Sequence, residues 1–351
     1  MANIFSKWYR RYFSEEESVL LLVLLIAGLV VILTLSDILA PLFIAIVLAY
    51  LMQGLANQLS AWGVSNRVSV WSSSLIFIGC FFAFTLGVVP LVWRQAVSLT
   101  REAPAIFEKL RTALGGMSES YVGIVGERQL DQIINTVQVE IAQLGQKVFA
   151  WGLSSIPDLL VMLVYIILVP LLVFFFLKDR DLVLRWMQSF LPNQRPLMTK
   201  IAIEMNQQIA NYARGKLVEV LIVGGLSYLV FAVFDLNYAA LLGLLVGLSV
   251  IIPYIGATLV TIPVVAVAFF QWGLTPDFYW VVGLYIVLQV LDGNVLVPLL
   301  FSEAVNLHPL AIIVAVIFFG GLWGVWGVFF AIPLATLVNA VVTAWPAALE
   351  S

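Results

Sequence analysis

Residues Tyr279–Leu300 read YWVVGLYIVLQVLDGNVLVPLL and carry one charged side chain, Asp292. That length matches the roughly 20 apolar residues a helix needs to cross the hydrocarbon of a bilayer. In a soluble protein such a stretch would be a buried helix, balanced by a polar coat elsewhere. The rest of the chain supplies no such coat. Of its 351 residues 62% are hydrophobic and 11% charged, against about 45–50% and about 25% in soluble proteins. The surplus apolar surface must face lipid. The fold class is therefore all-α: a polytopic transmembrane helical protein with two amphipathic extramembrane segments. Collagen-like, disordered, disulfide-rich and nucleic-acid-binding classes are excluded.

Upstream, Val19–Leu35 follows Lys7, Arg10 and Arg11, and no small-residue cleavage site comes after it. It reads as a membrane anchor and not as a signal peptide. Ile38–Leu51 is expected to return across the bilayer, with Ser36-Asp37 leaving room only for a tight hairpin. Leu75–Trp93 and Leu159–Leu177 are further spans. The expected organisation is a cytoplasmic N-terminus (1–18), three spans (19–93), a periplasmic helical segment (94–152), a fourth span (153–177), a cytoplasmic amphipathic segment (178–216) and a C-terminal membrane core (217–345).

Charge placement orients these parts. All 17 Lys and Arg lie at or before Lys216. Segment Arg94–Gly152 balances six basic against six acidic residues, whereas Lys178–Lys216 holds seven basic and three acidic. Excess Lys and Arg mark cytoplasmic loops, which places both termini in the cytoplasm. Each segment carries a helical stripe: Ile133, Val137, Ile141, Leu144 and Val148 in the first, Ile201, Met205, Ile209 and Tyr212 in the second. The first stripe must be buried against lipid headgroups, the protein's own spans or a neighbouring subunit, and a homo-oligomer is expected.

Two pairs of short apolar runs flank Tyr279–Leu300. Tyr238–Ile252 pairs with Ala257–Phe270 across Pro253-Tyr254-Ile255-Gly256, and Pro309–Phe319 pairs with Leu322–Val342 across Gly320-Gly321 and Gly324. The second arms carry Ile262-Pro263 and Ile332-Pro333, 70 residues apart. Each half thus reads as a span followed by a broken hairpin, the pattern of inverted-repeat transporters. Two fully spanning pairs would keep the same topology.

The stretches GLLVGLSVIIPYIGATLVTIP (Gly243–Pro263) and QVLDGNVLVPLLFSEAVNLHPLAIIVAVIFFGGLWGVWGVFFAIPLATL (Gln289–Leu337) resemble the autoinducer-2 exporter family of permeases. Pro41–Leu51 and Gly63–Arg67 resemble that family's opening, and the likeness is greatest to its PerM-type branch. One position departs: Gly215-Lys216 stands where the family often has a Gly-Gln pair. The resemblance implies a multi-pass carrier of the bacterial cytoplasmic membrane. It implies either export of a small polar, autoinducer-2-like solute by alternating access, or sodium–proton antiport.

Several residues can carry such chemistry. Asp292 at mid-span costs about 2.5–3.5 kcal/mol on insertion scales, so it lines water, is protonated or binds a cation. It reads as an H+ or Na+ site with Gln289 and Asn294 beside it, or as a helix cap before Pro298. Pro253, Tyr254 and Gly256 form a break whose free carbonyls and phenol can hold a cation or a polar solute; the same residues also break helices for packing alone. His308 and Glu303 bracket a short connection and read as solvated loop residues or as a gate. Gly320, Gly321, Gly324 and Gly327 read as hairpin packing. Glu219 and Lys216 read as an interfacial ion pair with a snorkelling lysine.

With one Cys (Cys80) and one His (His308), neither a disulfide framework nor a Cys/His metal cluster can be assembled. No cofactor is expected. Signatures of hydrolases, zinc proteases and P-loop ATPases are absent, so transport would be driven by gradients. A non-transporting membrane scaffold using the two polar segments is the reading from another class. It has no need of Asp292 or of paired broken hairpins.

Overall fold

The structure is a computed structural model that describes residues 16–118, 156–192, 195–253, 255–301 and 307–347. Among these no strand occurs; the chain is a succession of helices. They are α1 (Glu16–Ala61), α2 (Asn66–Ala83), α3 (Val89–Ser118), α4 (Ile156–Lys178), α5 (Arg180–Gln188), α6 (Pro196–Val233), α7 (Ala239–Ser249), α8 (Ile255–Trp272), α9 (Pro276–Leu291), α10 (Val297–Phe301), α11 (Pro309–Phe329) and α12 (Ala331–Ala347). Two π-helical turns, π1 (Phe84–Val88) and π2 (Asp292–Leu296), join α2 to α3 and α9 to α10. Among the described residues eight stretches are long and apolar enough to cross a membrane. The protein is a multi-pass, all-α integral membrane protein.

The residues fall into two compact units: Met1–Ile78, Val164–Leu217 and Leu299–Ser351 form the first, and Gly79–Leu163 with Val218–Pro298 the second.

In the first unit, α1 has helical backbone over 46 residues, which a straight helix would stretch to about 69 Å. It is not straight. Glu17 Oε1 accepts from the Met198 amide at 2.6 Å, and the Tyr50 hydroxyl donates to the Asn206 carbonyl at 2.6 Å. Straight geometry would separate residues 17 and 50 by about 50 Å, yet their partners stand only about 12 Å apart along α6. α1 therefore doubles back between them. Pro41 lies inside the returning arm, where it removes one N–H and adds a local kink. The turn falls near Ser36-Asp37, where the apolar stretches Val19–Ser36 and Ile38–Ala61 meet, although the backbone there stays helical. Ile201 and Tyr212 of the second stripe are buried, and α6 continues past Lys216 without interruption into the following apolar run. The first stripe, 133–148, lies outside the described residues.

The hairpin α11/α12 belongs to this unit. Its break is at Gly324, with φ +60° and ψ −137° inside α11; Gly320 and Gly321 remain helical. A Cβ on Gly327 would stand 1.8 Å from the Phe319 carbonyl oxygen, and one on Gly320 2.8 Å from a Val328 methyl. Gly321 has open space around its Cβ position.

The second unit has the larger core, built from Phe231, Leu242, Val246, Val264, Val267, Val281 and Tyr285. Its hairpin α7/α8 turns over Val250–Pro253. α7 packs on α6 through bare backbone: a Cβ on Gly247 would lie 2.9 Å from both the Gly224 Cα and the Val220 carbonyl oxygen, and one on Gly243 2.7 Å from the Tyr228 Cβ. Gly243 and Gly247 are thus a small-xxx-small pair. Polar side chains clasp the base of this hairpin. Gln95 accepts from the Leu241 amide (2.8 Å), Lys109 donates to the Phe270 carbonyl (2.6 Å), and Gln271 joins the Asn237 amide to the Asp235 carbonyl.

Candidate functional site

α9 is apolar except for one face. Val281 and Tyr285 on that face are fully buried; Gln289 and Asp292 follow at four- and three-residue steps, so the stripe continues as a polar one. The Tyr285 hydroxyl shares a hydrogen bond with Thr261 Oγ1 of α8 at 2.9 Å and accepts from Gln289 Nε2 at 2.9 Å. Thr261 in turn bonds the Ala257 carbonyl at 2.7 Å. The rings of Phe231 and Tyr285 stand 6.0 Å apart. One turn before Phe231, the Ser227 hydroxyl is buried with no hydrogen-bond partner among the described residues. A buried hydroxyl left this way in a native fold calls for a reason.

The register of α8 against α9 places the hairpin break. Thr261 faces Tyr285, and Phe269 faces Phe278 with centroids 6.2 Å apart. Both pairs fit one antiparallel alignment, in which Asp292 stands at the height of Ile255, the first residue of α8. The sequence-predicted Asp292, Gln289, Pro253 and Gly256 are thereby brought to one end of the second unit, while Tyr254 lies outside the described residues. Gly256 is pressed against the α7 terminus: a Cβ there would be 1.8 Å from the Ser249 carbonyl oxygen.

Asp292 is 7% exposed and opens π2. The wide turn has a sequence cause. The Val297 amide donates five residues back to the Asp292 carbonyl, and Pro298 has no N–H to offer. The Gly293 carbonyl is thus left without a donor from its own helix. π1 is built the same way, with Val89 donating to the Phe84 carbonyl and Pro90 following. Such turns recur at functional sites. The helix is therefore widened at Asp292 and not broken, which corrects the expectation of a capped break before Pro298.

Asn294 is exposed, and its amide donates to the Val290 carbonyl at 2.9 Å, so it braces π2. His308 caps α11: its Nδ1 accepts from the Leu310 amide at 3.2 Å, with Pro309 in the first turn. Glu303 lies outside the described residues. Lys216 and Glu219, expected at the interface, are instead buried at 7% and 1% exposure. Lys216 Nζ sits over the Phe301 ring, 5.1 Å from its centroid; a Cβ on Gly215 would strike the same ring at 2.7 Å.

Sequence reasoning missed Thr261, Tyr285 and Ser227. The signal for Tyr285 was present as the 285-289-292 spacing on a single helix face. Thr261 could be found only from the pairing of α8 with α9. Among the described residues no group of three His, Cys, Asp or Glu is placed to hold a metal.

Residues 20–347 match the sequence pattern of a family described as "AI-2E family transporter". The chain is 46% identical over 346 residues to a protein of Escherichia coli strain K12 named "Putative permease PerM", covering 99% of this chain and 98% of that one. It is 27% identical to Bacillus subtilis strain 168 "Putative transport protein YueF" over 76% of this chain and 73% of that one. It is also 27% identical to the Escherichia coli K12 "AI-2 transport protein TqsA", over 41% of this chain and 42% of that protein.

Proposed function

Because the chain belongs to the AI-2E transporter family and is a membrane transporter, we propose that it is a secondary carrier exporting a small polar, autoinducer-2-like solute in exchange for a coupling cation. The observation that carries this reading is the polar column in which the buried Tyr285 hydroxyl joins half-buried Thr261 and Gln289, leading along one face of α9 to the buried Asp292. An apolar span has no structural need for such a column, and each polar group placed there carries a desolvation cost.

In this reading the Asp292 carboxylate and the freed Gly293 carbonyl supply oxygen ligands for Na+, or the carboxylate alone takes H+. Hard cations prefer such oxygens. The Tyr285, Gln289 and Ser227 groups hydrogen-bond the hydroxyls of the solute, with Pro253 and Gly256 shaping the opening beside them. The proline-linked π-turns, π1 and π2, give two places where a span can bend as access alternates. His308 and Glu303 act at the entry to α11. The protein lies in the bacterial cytoplasmic membrane with both termini in the cytoplasm, which the confinement of Lys and Arg to residues up to Lys216 supports. It works as a homo-oligomer.

Sodium–proton antiport is the second reading, favoured by Asp292 standing as the only acidic residue within Tyr279–Leu300. A panel of solutes and ions in proteoliposomes, under imposed pH or sodium gradients, separates the two. Gradient-driven movement of a polyhydroxylated solute supports export. Exchange of sodium for protons with every solute left unmoved supports antiport, and silence in both arms would leave a scaffold.

A further inference from the structure

A single residue, Asp179, separates the end of the span α4 from the start of α5, so α5 must begin at the bilayer surface. It is amphipathic in a way that a water-facing helix is not. Leu182 and Trp186 recur at a four-residue step and are each 63% exposed; Phe190, just past the helix end, is 67% exposed. The Trp186 and Phe190 rings meet edge to face at 5.0 Å, which extends one continuous apolar ridge. Arg195 holds the far end in place, its Nη1 donating to the Gln188 carbonyl at 3.1 Å.

At the near end, charge converges. Arg180 opens α5, and both it and Arg214 of α6 lie close enough to the Tyr50 hydroxyl to act on it electrostatically. The Arg214 guanidinium lies over Gly54, where a Cβ would come within 3.1 Å of its Nε. Tyr50 itself is fixed by Asn206. Over Lys178–Lys216 seven basic residues face three acidic ones, Asp179, Asp181 and Glu204.

We infer that α5 lies in the plane of the membrane and that Arg180 and Arg214, beside Tyr50, bind the phosphate of an anionic phospholipid whose chains run along Leu182, Trp186 and Phe190. An in-plane helix of this kind draws affinity from its buried apolar face and from anionic headgroups together. Arginine's planar fork suits a pair of phosphate oxygens better than a lysine would. This inference does not depend on the transport reading, because it concerns another surface and a different ligand.

The test uses the full-length protein in mild detergent, freed of co-purified lipid and titrated with phosphatidylglycerol or phosphatidylcholine of identical chains, with bound lipid counted by native mass spectrometry. Each basic residue near an anionic lipid surface adds roughly a factor of five, so phosphatidylglycerol should bind roughly 25-fold more tightly. Arg180→Gln/Arg214→Gln should erase that preference, and Arg67→Gln/Arg94→Gln, with the same change in net charge, should keep it. Arg180→Lys/Arg214→Lys should retain part of it, which separates charge loss from misfolding. Equal binding of the two lipids by the unaltered protein, or a preference that survives the double glutamine variant, overturns the site. Displacement of phosphatidylglycerol by millimolar inorganic phosphate would also overturn it, by assigning the arginines to a soluble phosphate.

Discussion

The carbonyl oxygen of Ser249 stands 1.8 Å from the place a Cβ would occupy on Gly256. The Phe319 carbonyl stands at the same 1.8 Å from the corresponding place on Gly327. The two closures are offset by about the same 70 residues that separate Ile262-Pro263 from Ile332-Pro333. Each hairpin folds its second arm onto a carbonyl of the first, and a side chain at the contact would force the arms apart. Gly256→Ala and Gly327→Ala should each lower stability by about 1–3 kcal/mol, the usual range for overpacking. Gly321→Ala, with open space at its Cβ, should leave it unchanged or raise it. Thermal unfolding in detergent followed by tryptophan fluorescence decides this; equal midpoints for all three variants would mean the hairpins tolerate the extra carbon.

The contact of α6 with α7 predicts a graded series at Gly247. Backbone atoms of Gly224 and Val220 stand 2.9 Å from its Cβ position, so neither Ala nor Val fits without moving a helix. Gly247→Val should destabilise more than Gly247→Ala, whereas Gly225→Ala on the open side of α6 should be silent. A series in which Gly225→Ala is the most damaging would contradict the close packing.

Tyr285→Phe removes the one hydroxyl that half-buried Thr261 and Gln289 share. The expected loss is about 1–3 kcal/mol, together with reduced transport. Thr261→Val should cost less when Tyr285 is already Phe, because the bond it breaks is gone. Fully additive losses in that double-mutant cycle would show that the column is not one unit.

His308→Ala should loosen the first turn of α11 by about 0.5–2 kcal/mol, and His308→Asn should largely restore it, since asparagine is a good N-cap. Hydrogen exchange at residues 310–312 reads this directly. Identical exchange in both variants would leave His308 without a capping role.

The spans, the two hairpins and Asp292 were legible because membranes impose a length and a cost that composition alone reveals. The first hairpin break was read nearly in place because Pro253 and Gly256 punctuate it from both sides. The second was read across Gly320, Gly321 and Gly324, but only Gly324 takes a left-handed φ; three glycines in five residues do not say which will use its freedom. The π-turn at Asp292 was hidden because a Val-Pro step in a span signals a kink but not its form. Lys216 was placed at the interface on the rule that lysine snorkels, and the Phe301 ring that covers it arrives from 85 residues downstream. Thr261 and Ser227 are ordinary polar residues in apolar runs, and only pairing between helices picks them out.

Asp292→Asn tests the central claim most directly. The amide keeps the size and hydrogen-bonding ability of the side chain and removes its charge and its proton. In proteoliposomes with an imposed cation gradient, solute flux through the variant should fall roughly tenfold or more, while insertion and oligomer size remain normal. Asp292→Glu should retain part of the flux with a displaced pH optimum. Unaltered flux through the Asn variant across a range of pH would contradict the account and leave Asp292 as a structural element of π2.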